Sequence, residues 1–238
     1  MAQKAAKHHL TLTLHGAYKP TGMERTWPNV LSYEAVLNQE YNKWKSSSAT
    51  VRGGTPPEHN LNVAFTRMLA GPLDYHQGGM RNVVPENYQF RNEAPPVQGT
   101  RGHQLAMYVV YQNHLPMVAD YPEAYSGQAG VKFLFKIPAT WDETRVLRAE
   151  VGKCLIIARR SGTTWYLGGM TATESRETDL PLDFLGQGSF SAEAYFDNPP
   201  AGPTALTAQQ RTVSAADKLR VVIPRSGGFV TRISPSPH

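Results

Sequence analysis

The chain has 238 residues, 40% of them hydrophobic and 18% charged, and a formal net charge of +5. Those values describe one or two globular domains with a sizeable core and exclude wholesale disorder. The basic residues form no block of the kind that tracks a nucleic acid, and a single cysteine, Cys154, excludes an intrachain disulfide.

Residues 1–9 read as the end of a helix rich in Ala, Lys and Gln. The segment is basic, but the apolar run after it is short and broken by threonines, so no secretory signal is legible. Nor does any run approach the ~20 apolar residues of a membrane span. A helix stub leading straight into an apolar strand, residues 10–14, is the pattern of the middle of an α/β repeat. That strand delivers His15 and Gly16 to its C-terminal end. A loop with Tyr18, Lys19, Pro20, Gly22, Glu24, Trp27 and Pro28 follows. Residues 34–45, with Val36, Leu37, Tyr41 and Trp44 at near-helical spacing, predict a helix. Residues 46–59 carry SSS, GG and PP and predict a loop.

Residues 62–66 (NVAFT) read as a second buried strand. They run into a Gly-rich loop holding Asp74 and Tyr75. Residues 81–100 are polar and proline-bearing and predict a surface wrap. Thr100 is a plausible N-cap for a helix running through Leu105, Tyr108, Val110 and Leu115 to Met117, apolar nearly all round and therefore buried. Residues 131–137 predict a strand or a short helix.

From Trp141 onward the texture changes to short β-patterned runs: 145–151, 153–159, 164–167, 178–182, 189–196, 219–223 and 229–233. Ser161-Gly162, Gly186-Gln187-Gly188 and Gly227-Gly228 punctuate them as turns. Residues 198–210 read as a loop. The fold class expected is therefore α/β followed by all-β, the second part an antiparallel β-sandwich or small barrel, joined near residue 140. Cys154, in the apolar run CLIIA, reads as core. The paired Arg159 and Arg160 read as decoration of a strand end.

Three features carry chemistry. Glu34 and Glu40 lie beyond a strand-end loop. Two glutamates near a helix N-terminus are ordinarily solvated dipole partners, but glycoside hydrolysis also needs two carboxyl groups flanking the scissile bond. A pair of carboxylates is also part of what calcium requires. His15 reads equally as a structural hydrogen-bond partner or a ligand contact. Asp74 reads as a turn-stabilising residue that could face the same pocket. Tyr18, Trp27 and Tyr75 could stack on sugars, although loop aromatics more often anchor their own loop. Asp142 and Glu143, at the join, are a second carboxylate source with an N-cap or interdomain role as the plainer reading. No zinc-spaced Cys or His pair, GxSxG elbow, P-loop or dinucleotide fingerprint is present.

The blocks HGAYKPTGMERTWPNVLSYEAVLNQEYNKW, PPEHNLNVAFTRMLAGPLDYHQGG, HQLAMYVVYQNHLPMVADYPEAY, IPATWDETRVL and IIARRSGTTWYLGG resemble glycoside hydrolase family 97. This is a family of α-glucosidases and α-galactosidases of bacterial glycan-utilisation systems. The family has an N-terminal β-sandwich, a central (β/α)8 barrel and a C-terminal β-domain. The resemblance implies that residues 1–140 are the C-terminal part of that TIM-type barrel and residues 141–238 the β-sandwich domain. It makes Glu40 the general acid, or acid/base in retaining members. It makes Glu34 a calcium ligand, with Glu40 close to the same ion, and His15 a substrate contact. Lys19 and Asp74 are further candidates for substrate binding. Gly16 stands where inverting members carry a glutamate, which places the sequence on the retaining, α-galactosidase-like side. Retaining members use an aspartate on an earlier strand as nucleophile, and that strand is expected to lie before this chain begins. Within the chain Asp74 or Asp142 would have to serve. The partners implied are an oligo- or disaccharide and, through exposed strand edges of an open barrel, a second copy of the chain. No nucleic acid or membrane is implied. A catalytically incomplete carbohydrate-binding or association module is the alternative.

Overall fold

The computed structural model describes residues 1–45 and 53–236. The first helix, α1 (Ala2–Lys7), ends where His9 takes a positive φ of 55°. β1 (Leu12–Leu14) follows, then a loop with the one-turn helix α2 (Met23–Thr26), then β2 (Val30–Tyr33). β1 and β2 pair in parallel, with Leu14 opposite Tyr33, and Tyr33 makes a further parallel bridge to Leu73. Ala2, Val30 and Tyr33 form a small core with Leu12, Leu14, Ala17 and Trp27 packed on it.

Two expectations fail here. Residues 34–45 are not a helix. Their apolar spacing is that of β2 running out into an irregular turn, where Ala35 has a φ of 40°, followed by a short 3-10 helix at Gln39–Lys43. Asn38 caps that turn by accepting a bond from the Gln39 amide. Residues 62–66 are not a strand either. They are the last turn of α3 (Pro57–Phe65), which Pro57 at its first position and Glu58 in its first turn initiate. The β-branched texture of NVAFT yields to burial of Leu61 and Val63 on one face of that helix. Of the loop expected over 46–59, residues 46–52 lie outside the described residues, and the helix begins at Pro57.

β3 (Asn82–Val83) and β4 (Val97–Gln98) form a short parallel pair inside the surface wrap. α4 (Arg101–Val110) is buried at all ten positions, and Thr100 caps it, its hydroxyl accepting from the His103 amide at 3.1 Å. It stops well short of Met117: Tyr111 is extended, and Leu115 and Met117 are exposed. The carbonyls of Val110 and Tyr111 are capped by Arg159, whose guanidinium donates to them at 3.1 and 3.0 Å. Arg159 is thus a buried helix stop rather than decoration, whereas Arg160 pairs at the surface with Asp142 and Glu143. α5 (Val131–Leu134) resolves the strand-or-helix alternative as helix.

The rest is β: β5 (Glu143–Glu150), β6 (Cys154–Ser161), β7 (Thr164–Thr171), β8 (Arg176–Pro181), β9 (Phe190–Asp197), β10 (Leu206–Val213), β11 (Lys218–Ile223) and β12 (Gly228–Pro235). A six-stranded antiparallel sheet runs in the order β10-β9-β12-β7-β6-β5, and β8 and β11 form a separate two-stranded sheet. This is the sandwich the sequence implied, with one strand more: β10 occupies part of what reads as a loop. It is an edge strand with exposed residues along nearly its whole length, so no apolar alternation announces it.

Core position follows from the strand period. In β6, Cys154, Ile156 and Ala158 face β8 and β11, while Leu155 and Ile157 face α4 and the N-terminal region. Both faces are covered, which is why CLIIA reads as a continuous apolar run. Full burial of a side chain such as Ile156 stabilises by about 1.5–3 kcal/mol. α4 lies close on the sheet because β7 offers Gly168, where a Cβ would stand 2.8 Å from Val109 Cβ.

A carboxylate and histidine cluster at three parallel strand ends

β1, β2 and the segment ending at Leu73 run parallel and side by side. The residue that follows each is a polar site candidate: His15 after Leu14, Glu34 after Tyr33 and Asp74 after Leu73. One edge of the small sheet therefore gathers residues 15, 34 and 74 from distant parts of the chain. His15 Nδ1 lies 3.0 Å from Asp74 Oδ2, and its Nε2 lies 3.4 Å from Glu34 and 3.6 Å from Glu40. The His76 ring stacks on that of His15 with centroids 5.0 Å apart.

The backbone beneath is tightly held. Glu34 Oε2 accepts the Gly16 amide at 2.6 Å, and Oε1 accepts from the Asn38 side chain at 3.1 Å. Gly16 has a φ of +62°, a conformation that favours glycine at this turn. Asn38 is wholly buried, and its Oδ1 accepts the amides of Gln39 and His76, both at 2.8 Å. Arg67 reaches across to the end of β2, donating to the carbonyls of Tyr33 and Glu34 at 2.7 and 3.0 Å. Burial acts to lower the His15 pKa, but the Asp74 hydrogen bond and the charges of Glu34, Asp74 and Glu40 more than offset it, so the net shift is upward.

Of the sequence candidates, His15, Glu34, Glu40 and Asp74 come together. Glu34 is buried, Glu40 is half-exposed, and Asp74 has no exposed surface and sits behind His15. Lys19 does not join them: it is exposed, with its ammonium 5.3 Å from the Tyr18 ring. Asp142, just before β5, is tied instead to the turn between β6 and β7, where it accepts the Gly162 amide at 2.7 Å. Tyr75 is a core residue, donating to Asn60 at 2.7 Å and packing edge-on against Tyr111. Tyr18 is exposed, and Trp27 packs on the core beneath β2. A cavity of about 260 Å³ opens beside Glu40, lined by Gln39, Lys43, His76, Arg81 and Asp120, the last two paired at 2.6 Å.

Sequence reasoning passed over Asn38, Arg67 and His76. Asn38 carries a signal, an Asn directly before a helical turn. His76 stands two residues from Asp74, a spacing that brings both to one end of an extended segment. Arg67 carries none, because its partners are carbonyls more than thirty residues away.

A family model described as "Glycosyl-hydrolase 97 C-terminal, oligomerisation" matches residues 140–234, and one described as "Glycoside hydrolase 97" matches residues 1–36. The chain belongs to glycoside hydrolase family 97. The family 97 chain is 36% identical over 235 residues to a retaining alpha-galactosidase of Bacteroides thetaiotaomicron, covering 98% of the chain and 35% of that relative. It is 30% identical over 225 residues to a probable retaining alpha-galactosidase of Streptomyces bingchenggensis, covering 94% and 31%. Its fold matches that of a family 97 enzyme from Pseudoalteromonas sp. strain K8, solved in complex with acarbose. That match has a TM-score of 0.85 and 34% identity, and it covers 99% of this chain and 36% of that one. The chain thus spans about a third of the length of the curated relatives it matches.

Proposed function

We propose that this chain carries the acid/base half of a retaining α-glycosidase site, with Glu40 as the general acid/base. The observation that carries the reading is the delivery of His15, Glu34 and Asp74 to one end of three parallel segments. Catalytic groups of (β/α)8 enzymes gather at the C-terminal ends of parallel strands. On this reading residues 1–140 are the closing part of such a barrel and residues 141–238 the domain that supports it. The retaining alpha-galactosidase relatives support an α-galactoside as substrate.

Glu40 suits the acid role by position: it is partly exposed beside a cavity, with one oxygen 3.6 Å from His15 Nε2. Its carboxyl would hand a proton to the glycosidic oxygen as the bond to the sugar breaks. The resulting carboxylate would then take a proton from the water that completes hydrolysis. His15, exposed at the cluster's surface and tied to Asp74 behind it, would orient a sugar hydroxyl. Asp74 is too deeply buried to attack a sugar ring. The nucleophile is therefore assigned to the part of the relatives that this chain does not span.

Glu34 and Glu40 offer hard oxygen donors in a group whose ligand atoms lie within 4.8 Å of one another. That fits part of a calcium shell of roughly six to eight oxygens, the remainder coming from water and from residues outside this chain. A bound calcium ion would supply a fixed positive charge at this end of the cluster. The Gly16 amide and Asn38 hold Glu34 in place for it.

The test is Glu40→Gln in the protein that carries this sequence. Hydrolysis of an aryl α-galactoside with a poor leaving group is expected to fall about 10²–10⁴-fold. A substrate with an activated leaving group, which needs no protonation, should lose less. Equal turnover by variant and wild type would overturn the assignment.

A second reading has its own support in the description of the family model over residues 140–234, which names oligomerisation. The exposed edge strand β10 offers unpaired backbone groups for self-association. The molecular mass in solution checks it, and a monomer at micromolar concentration would count against it.

A further inference from the structure

We propose that His15, Asp74 and His76 form a binding site for a borderline divalent transition metal such as Zn²⁺, beside the carboxylate pair Glu34 and Glu40 and separate from it. Two imidazoles and one carboxylate are a donor set for zinc-like ions, whereas calcium takes oxygen alone. One ligand atom from each of the three residues lies within 4.8 Å of the other two. The His15 and Asp74 atoms are already 3.0 Å apart. Tetrahedral zinc with bonds of about 2.0–2.1 Å sets its ligand atoms roughly 3.4 Å apart, so the His15–Asp74 pair opens slightly and the wider pairs close by at most about 1.4 Å. The two imidazoles are stacked with their planes inclined by only 14°, so a rotation of the half-buried His76 ring brings its nitrogen to the shared ion.

A second observation points to a missing partner. Asp74 is completely buried, yet its Oδ1 has no hydrogen-bond partner, while Oδ2 is held by His15. A buried carboxylate oxygen left without a partner is costly, and a cation bound by both oxygens of Asp74 would satisfy it. All three ligands hang from fixed backbone: His15 ends β1, the Asp74 amide donates to Tyr33 O at 2.9 Å, and the His76 amide donates to Asn38 at 2.8 Å. Entry is open on the His15 side, whose side chain is 43% exposed.

His15 is shared between this group and the carboxylate cluster, and its two ring nitrogens face different neighbours. Nδ1 looks to Asp74 and Nε2 to Glu34 and Glu40. A metal held through His15 competes with the Asp74 hydrogen bond and fixes the imidazole in one place. The site rests on the three residues alone and stands whether or not Glu40 is an acid.

Titration calorimetry with ZnCl₂ in a non-coordinating buffer tests it on the wild-type chain and on His76→Gln, with Glu40→Gln as the control. His76 is half-buried, so its replacement should leave the far-UV circular dichroism unchanged. The expected result is one site on the wild type, kept in Glu40→Gln and weakened at least about tenfold in His76→Gln. Nitrogen-15 resonances of His15 and His76 should shift together on adding Zn²⁺. The proposal fails if the wild type binds no Zn²⁺, if His76→Gln binds it as tightly as the wild type, or if Glu40→Gln loses it to the same degree. These readouts concern binding and are independent of the hydrolysis assay for Glu40.

Discussion

From Glu143 to Pro235 the backbone mostly satisfies itself. Six strands share continuous antiparallel ladders, and a core including Ile156, Leu167, Val221 and Phe229 fills the space between the two sheets. Between Met1 and Ile137 side chains do much of that work. Arg101, with no exposed surface, donates to Asn82, Met80 O, Gln128 and Ala129 O at 2.8–3.1 Å. Arg67 and Asn38 do the same around the cluster. A region of loops can hold a site rigidly when buried polar side chains replace the missing ladders, but each of those side chains then serves several partners at once.

The sharpest way to break that contrast is Arg101→Met. It removes one side chain and leaves two buried acceptors, Asn82 Oδ1 and Met80 O, without their donor, besides two bonds nearer the surface, so a loss of about 4–5 kcal/mol is expected in denaturant unfolding. Hydrogen exchange should show the loss first around residues 80–82 and 128–129, with the sandwich ladders protected longest. Next in size is Ile156→Ala, which opens a cavity between the sheets at a cost of about 3–4 kcal/mol. Its effect should appear across the sandwich and spare the cluster. If either change loosens both regions equally, the two are held by one device and the contrast is wrong.

A pH series gives the third effect. Burial lowers the pKa of His103, in the first turn of α4, from 6.5 to about 4, against a weaker upward pull from its hydrogen bond to Gly227 O. The unfolded chain therefore takes up the proton first. Stability contributed by neutral His103 is present above pH 6.5 and is lost as pH falls from 6.5 towards 4, on the order of 3 kcal/mol in all. Asp197 works in the opposite sense: burial pushes its carboxyl up to about 6 from 3.8, so its share is lost as pH rises through 6. The difference between wild type and His103→Gln isolates the histidine, and a difference independent of pH would refute the assignment. Smallest is the surface pair Lys136–Glu193 at 2.7 Å, where Lys136→Ala should change stability by about 0.5 kcal/mol or less, vanishing in high salt.

The same contrast explains what could be read from the sequence. Strand period and turn residues marked seven of the sandwich strands, because alternation records which side of a ladder faces a core. They missed β10, an edge with little to bury. Thr100 announced α4, because a cap is a local signal. Around the cluster the local signals misled. The helix expected over residues 34–45 is an irregular turn and a short 3-10 helix capped by Asn38, and the strand expected over 62–66 is helix fixed by burial of Leu61 and Val63. His15, Glu34, Glu40 and Asp74 were legible as chemistry, whereas the bonds that bring them together run from residues with no periodic pattern.

The meeting of α4 with β12 has a consequence for anyone who mutagenises this chain. A Cβ at Gly102 would stand 2.3 Å from Gly228 O, and a Cβ at Gly228 would stand 2.6 Å from the Gly102 carbonyl. Each glycine is obstructed by the other's main chain, which no compensating substitution can trim. A library randomised at both positions should return only the parental pair among folded members, however large it is. The two codons form a fixed point around which the rest of the helix and sheet are free to drift.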